Sequence, residues 1–408
     1  MFRHLRYLIV GFSLAASALL ALAFQAVLAA DSTPAATPAS TSVDALSLND
    51  HCPAGFELTS VGCELRTLYQ NYQSLENKGL GGLQIALPPG YRDGFSPQQI
   101  DLGRYLFFDP LLSANGKMSC ATCHDPDQGF SDGMGRSLGG DGKLLQRSAP
   151  TLWNVAFLDK LFWDARADSL EEQAEEPLFD SHEMNNTPEG LLAALNNNEV
   201  YRRMFGEAYA EEEKLITLPQ VLTAITAFQS TLISLNSRYD QYAHGYADAL
   251  NEDEKAGLNV FRSFVARCGE CHTPPLFTNQ QMAVIGTPEP VGMPRDVGAE
   301  KVTGIKSQRG SFKVPSLRNI ALTAPYMHSG RFATLREAVE FYTQGRGHAV
   351  PEGEHLNIHW HIWEPNLTDD ELDRVVDFLQ TLTDESFKPA VPALLPSGLP
   401  LAHGQYRR

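Results

Sequence analysis

Two Cys-x-x-Cys-His strings, Cys120-Ala-Thr-Cys123-His124 and Cys268-Gly-Glu-Cys271-His272, constrain the fold of this chain more than any other feature. The pattern is the attachment motif of c-type haem: two thiols form thioethers to the porphyrin, and the adjacent histidine supplies the proximal iron ligand. A zinc site or a thioredoxin-like redox pair would use the cysteines without a histidine beside each second one. Two covalent haems are therefore expected, bound through Cys120, Cys123, His124, Cys268, Cys271 and His272.

Each motif follows a helix-start signal. Ser96-Pro97-Gln98-Gln99 offers an N-cap serine, a proline at the first helical position and a glutamine that completes a capping box. Asn251-Glu252-Asp253-Glu254 opens a second helix carrying Leu258, Val260, Phe261 and Phe264. Further starts fall at Ser169 with Glu172, Thr334 with Glu337 (ending near Gly345) and Thr368 with Glu371. Leu218, Val221, Leu222, Ile225, Phe228 and Leu232 form one apolar helical face, and Leu372, Val375, Val376, Leu379 and Leu382 form another. No alternating run demands a large sheet. The chain is predicted to be mainly α, with two cytochrome-c-like domains, 85–245 and 246–390, each carrying one haem.

The N-terminus reads as a signal peptide over residues 1–30: Arg3 and Arg6, an apolar run from Leu8, then Val27-Leu28-Ala29-Ala30 with cleavage after either alanine. The run is also long enough for an uncleaved membrane anchor. Residues 31–44, rich in Pro, Ala, Ser and Thr, read as a disordered linker. Removing residues 1–30 takes the net charge from −17 to −19, because Arg3 and Arg6 leave and no acid does. That balance argues against a nucleic-acid partner. Cys52 and Cys63, the two cysteines outside the haem motifs, are expected to form a disulfide in an N-terminal extension, 45–84, in an oxidising periplasm. The Pro-rich end, 391–408, reads as an extended tail.

Over residues 85–385 the chain resembles the bacterial di-haem cytochrome c peroxidase and MauG superfamily. The strings that carry the resemblance are Arg147-Ser148-Ala149-Pro150-Thr151, Phe162-Trp163-Asp164-Ala165-Arg166, Phe312-Lys313-Val314-Pro315-Ser316-Leu317-Arg318-Asn319 and Pro325-Tyr326-Met327-His328-Ser329-Gly330. The resemblance implies that Trp163 lies between the haems and relays charge, although plain core packing would also explain it. It places Gln173, Pro177 and Glu183 in the peroxidatic pocket, with Glu183 moving the proton that O–O cleavage requires. The alternative for Glu183 is an exposed loop carboxylate. Its neighbour His182 reads as a surface residue.

Two departures divide the superfamily. Its peroxidases carry a histidine ligand in the loop before the Arg-x-Ala-Pro string, yet Ser137 to Gln146 contains none, which implies an always-open first haem of the MauG kind. Those peroxidases ligate the second iron with methionine, whereas Tyr342 occupies that position here, as in MauG. A phenolate stabilises oxidised iron and lowers its potential, and methionine raises it. The competing reading leaves Tyr342 packed on its helix while Met327, Met282 or Met293 ligates.

By the same resemblance Thr323 and Pro325 would offer carbonyl oxygens to a calcium ion, with Ser148 standing where the family has asparagine. The implied activity is reaction with hydrogen peroxide followed by oxidation of a residue, chiefly tryptophan, on a partner protein; an exported copper-binding protein fits the subgroup that the extension and length suggest. The surface tryptophan that MauG has before its second motif is replaced by Ala266. Trp360 and Trp363 offer another exit, although core aromatics are the commoner case. The alternatives are peroxide reduction fed by a small redox protein, and a non-catalytic electron carrier.

Overall fold

The computed structural model describes residues 42–66, 91–211, 214–345, 350 and 353–402. The signal segment, nearly all of the linker, residues 67–84 of the extension and the last six residues lie outside the described residues. Helices dominate: α1 (Pro97–Phe108), α2 (Cys120–Cys123), α3 (Leu170–Phe179), α4 (Pro188–Asn196), α5 (Glu199–Tyr209), α6 (Leu218–Gln229), α7 (Arg238–Ala243), α8 (Glu252–Phe261), α9 (Cys268–Cys271), α10 (Glu300–Thr303), α11 (Leu335–Phe341) and α12 (Asp369–Gln380). Among the described residues the strands form two antiparallel pairs, β1 (Phe56–Thr59) with β2 (Gly62–Leu65), and β3 (Met282–Val284) with β4 (Ser311–Lys313), in registers that set Leu58 opposite Cys63 and Ala283 opposite Phe312. No helix among the described residues is long and apolar enough to cross a membrane.

The helix starts follow from their caps. Capping boxes close at Ser96–Gln99, Asn251–Glu254, Thr334–Glu337 and Thr368–Glu371, and Ser169 accepts from the Glu172 amide. Each cap satisfies amides that the first helical turn leaves without partners, worth about 1 kcal/mol. One end differs from expectation, at α8, while the helix after Thr334 ends near Gly345 as expected. Helix α8 stops at Phe261, so Phe264 lies beyond the apolar face and is 73% exposed. Helix α11 stops at Phe341 and tightens into a 3-10 turn, Tyr342–Gln344, before Gly345 ends it at φ +83°. Helices α4 and α5 also carry cap signals in the sequence: Thr187 caps the first, with Pro188 at its N-terminus, and Asn198 caps the second.

One local architecture is built twice. In α1, a Cβ on Gly103 would sit 1.8 Å from the Ala224 carbonyl oxygen of α6; in α8, a Cβ on Gly257 would sit 1.8 Å from the Arg374 carbonyl oxygen of α12. Only glycine permits helices to meet backbone to backbone in this way. One turn further along each helix pair, Phe107 packs on Phe228 at 5.0 Å between ring centroids, and Phe261 on Phe378 at 5.1 Å. The left-handed residues Asn154 and Asn319 clamp the following strand of chain identically, each exchanging two hydrogen bonds with the backbone of Ser234 or Asp384.

Three further segments pack onto the two cores. Helix α7 packs Tyr239 and Ala243 with Phe277 and Phe378, so the second core reaches back to residue 239. The C-terminal segment returns to the first core, burying Leu395, while Ser397 donates to Asp109 and Thr122 donates to the Ala402 carbonyl. A Cys52–Cys63 disulfide fastens the β1–β2 pair, whose Cys63 amide donates to the Phe95 carbonyl just before α1. The described residues from Val43 onward form one compact unit.

Candidate haem sites

Helix α2 is a single turn that carries Cys120 and Cys123, with His124 as its C-cap. The Nδ1 of His124 lies 2.9 Å from the Phe130 carbonyl oxygen. A carbonyl can only accept, so Nδ1 carries the proton and Nε2 keeps a free lone pair for a metal. Burial lowers the imidazole pKa, partly offset by the Phe130 carbonyl, and so favours the neutral ring that a metal requires. Burial also pushes the Cys120 thiol up to about 12 and raises that of Cys123, opposite to the lowered values of redox-active pairs. All four motif cysteines are free of disulfides.

A cavity of about 710 Å³ opens in front of this turn, lined by Cys120, Cys123, His124, Trp163, Gln173, Pro177 and Glu183 among others. That volume falls within the ~300–1,000 Å³ typical of cofactor sites. Thiols, a lone-pair nitrogen and an adequate apolar space fit a covalent haem.

Gln173 and Pro177 stand one turn apart on α3, and the chain folds back behind them. The Met184 amide donates to the Pro177 carbonyl at 3.0 Å and the Glu183 amide to that of Asp180 at 3.1 Å, which returns Glu183 to the cavity wall. Its carboxyl pKa is raised to about 7, chiefly by burial and next by the Asp180 charge, against the opposing pull of Arg166. His182 faces solvent, its Nδ1 3.1 Å from Asp141 Oδ2. The Ser137–Gln146 loop lies directly over this segment: the Gly140 amide donates to the His182 carbonyl at 2.9 Å, and a Cβ on Gly140 would sit 2.3 Å from the Glu183 carbonyl oxygen. Met118 and Met184 also line the cavity.

Trp163 is presented by a tight turn in which Phe162 and Ala165 both take positive φ, +63° and +59°. Its Nε1 donates to the Ser148 carbonyl at 3.0 Å, its own carbonyl accepts from the Lys313 amide at 2.8 Å, and its ring meets His328 edge-on at 6.3 Å. The indole thus spans the cavity wall and the 311–328 segment of the second half. Behind it, Arg147 pairs with Asp164 and Asp296, each at 2.6 Å, and His328 Nε2 lies 3.0 Å from Glu289 while stacked on Phe312. Arg147 and His328 stand in the quoted strings, but nothing in their spacing reveals these long-range carboxylate partners.

Ser148 meets the segment that carries Thr323 and Pro325: its amide donates to the His328 carbonyl at 2.8 Å and its hydroxyl to that of Met327 at 3.2 Å. Among the described residues no group of three or more His, Cys, Asp or Glu is arranged to hold a metal ion. Any cation here would take carbonyl and hydroxyl oxygens.

The second motif repeats the geometry of the first. On α9 and its C-cap, His272 Nδ1 lies 3.0 Å from the Phe277 carbonyl oxygen, and burial lowers its pKa to about 4. Tyr342, in the 3-10 turn after α11, has its hydroxyl buried close enough to Cys268 and Cys271 for their charges to act on it. Burial first, then those thiols, raises the phenol above its ordinary range, and a bound cation reverses that preference. Of the competing methionines, Met282 is paired with Lys313 in the β3–β4 register, and Met293 accepts from Arg136 at 3.6 Å. The core reading of Trp360 and Trp363 is corrected: they are 62% and 37% exposed, and Trp363 is held by Nε1 donation to the Val265 carbonyl and by the Arg267 guanidinium 4.5 Å from its ring.

Two haem-attachment turns in equivalent helical settings, one opening on a cavity with a carboxyl in its wall, define a di-haem c-type oxidoreductase. The family described as di-haem cytochrome c peroxidase matches residues 97–248. Over 298 residues the chain is 36% identical to cytochrome c551 peroxidase of Nitrosomonas europaea, covering 73% of this chain and 83% of that protein. It is 34% identical over 311 residues to the methylamine utilization protein MauG of Methylorubrum extorquens, covering 76% and 85%. The crystal structure of a MauG-like protein associated with microbial copper homeostasis superposes with a TM-score of 0.68 at 31% identity, covering 76% of this chain and 98% of that one. The chain belongs to the di-haem cytochrome c peroxidase and MauG family of peroxide-dependent oxidoreductases, and the family implies two haem c groups.

Proposed function

We propose that this enzyme is exported to the periplasm, reacts with hydrogen peroxide on the His124 side, shares the oxidising equivalents with the His272 side and oxidises a residue of a partner protein, chiefly a tryptophan. Residues 85–245 form the peroxidatic half and 246–390 the second half. The observation that carries the reading is the position of Tyr342, in the 3-10 turn after α11 and within electrostatic reach of the Cys268 and Cys271 thiols. The Ser137–Gln146 loop supports it, since it packs over Glu183 and contains no histidine to block the first iron.

The haems, when bound, would supply iron able to hold two oxidising equivalents from peroxide; hydrogen peroxide becomes two waters with two electrons and two protons, which the oxidised partner residue gives up. Glu183 takes a proton from the incoming peroxide oxygen and returns one to the departing oxygen, and its raised pKa suits a group that must do both near neutrality. Gln173 and Pro177 fix the cavity wall opposite the attachment turn. Trp163 bridges the two halves by its hydrogen bonds to Ser148 and Lys313 and carries charge between them. Tyr342 would provide an anionic oxygen to the second iron, and oxygen atoms of Ser148, Thr323 and Pro325 would hold calcium. A small exported copper-binding protein is the partner that the copper-homeostasis relative favours.

A second reading, peroxide reduction with electrons from a small redox protein, is favoured by the 36% match to a cytochrome c551 peroxidase. Holoenzyme, peroxide and a co-occurring exported copper-binding protein, examined by mass spectrometry, separate the two. A peroxide-dependent mass change on a partner tryptophan supports the first. An unmodified partner together with sustained oxidation of a reduced small cytochrome establishes the second.

A further inference from the structure

We propose that the Lys313 ammonium is the binding site for a propionate carboxylate of the haem held at Cys120, Cys123 and His124. The inference rests on that haem being present and is independent of whether a partner protein is oxidised.

Lys313 lies on β4, where burial alternates: Ser311 and Lys313 are buried and Phe312 stacks on His328. It is 9% exposed and forms part of the cavity wall together with Pro315. Other cations around the same cavity are accounted for. Arg147 pairs with Asp164 and Asp296, Arg166 with Asp164 and Glu176, and Lys143 with Asp141, while Lys301 is exposed to solvent. Among the described residues no carboxylate pairs with Lys313. A buried ammonium without a counter-ion is strongly disfavoured, and burial has pushed its pKa down to about 8. A side chain of this kind makes sense in a wall that receives an anion. Haem brings two carboxylates on an otherwise apolar disc. The Lys313 amide also holds the Trp163 carbonyl, so the residue that grips the haem edge would fix the indole beside it.

A positive charge beside the haem favours its reduced form, so Lys313→Met in the holoenzyme should lower the midpoint potential of the haem attached at Cys120 and Cys123. The expected shift is about tenfold in the one-electron equilibrium, ~59 mV, with the other haem unchanged and the propionate bending band in resonance Raman displaced. Lys313→Arg should restore both signals. Thioether attachment keeps the haem in place, and pyridine haemochrome assay checks its content; if the methionine variant fails to load, Lys313→Gln is titrated in the same way. An unchanged potential and propionate band overturn the assignment. So does a slower peroxide reaction without either spectroscopic change, which would place Lys313 on peroxide instead.

Discussion

Gly103 lies against the Ala224 carbonyl so closely that a methyl group in its place would sit 1.8 Å from the oxygen, and Gly257 stands in the same relation to Arg374. In both halves this contact sets the helix pair whose phenylalanines pack in the core against the first cysteine of the attachment turn, Cys120 or Cys268. Gly103→Ala and Gly257→Ala should each cost about 3 kcal/mol, at the upper end of the usual overpacking range. Urea titration of the holoenzyme measures the loss. Soret and ligand-field bands should show each variant perturbing its own haem and sparing the other.

Arg318 and Asp240 form a wholly buried pair, both 0% exposed, joined by two bonds at 2.5 and 2.7 Å, and Arg318 Nε donates to the Pro275 carbonyl. Arg318→Ala strands a carboxylate in the core and should cost about 3–5 kcal/mol. Removing both charges, with Arg318→Met and Asp240→Asn together, should recover a large part of that. Denaturant unfolding of the two variants gives the comparison directly.

Much of this architecture is local in the sequence. The attachment turns, the capping boxes at Ser96, Asn251, Thr334 and Thr368 and the disulfide each depend on residues close together along the chain. What sequence pattern does not carry is distance folded in three dimensions. Arg147 finds Asp296, Arg318 finds Asp240 and His328 finds Glu289 across separations for which no periodicity exists. Trp360 and Trp363 show the limit from the other side: aromatic side chains are usually buried, yet these two are exposed and stand near the Arg267 guanidinium, at 5.7 and 4.5 Å.

Glu183 should impose a pH dependence. Its folded carboxyl holds a proton up to about pH 7, against an ordinary value of 4.5, so the base form needed for attack by peroxide appears only as pH rises through 7. The bimolecular rate with peroxide should climb from pH 6 to 8 and then level. Glu183→Gln should lower that rate by roughly 10²–10⁴ and flatten the profile. The same shift acts on stability with the opposite tendency. Between pH 4.5 and about 7 the folded state holds the extra proton, so stability from this group falls as pH rises, and the glutamine variant should lose that slope. Stopped-flow rates and urea midpoints across the range test both; a wild-type rate flat from pH 6 to 8 rejects the role.

Tyr342 gives the sharpest division between the two functional readings. A phenolate oxygen favours the oxidised second iron, whereas a thioether favours the reduced one. Tyr342→Met should therefore raise the potential of the His272 haem by a few hundred millivolts, within the ~0.8 V that axial ligands span. It should also convert the enzyme toward steady peroxide reduction by a reduced small cytochrome, because electrons can then enter through that haem. Oxidation of a partner tryptophan should be lost at the same time. Tyr342→Phe removes the donor without supplying another and should lose partner oxidation with no gain in cytochrome turnover. Spectroelectrochemistry and partner mass spectra on the two variants decide it: a second-haem potential that neither substitution moves means that Tyr342 only packs against its helix and another residue holds the iron.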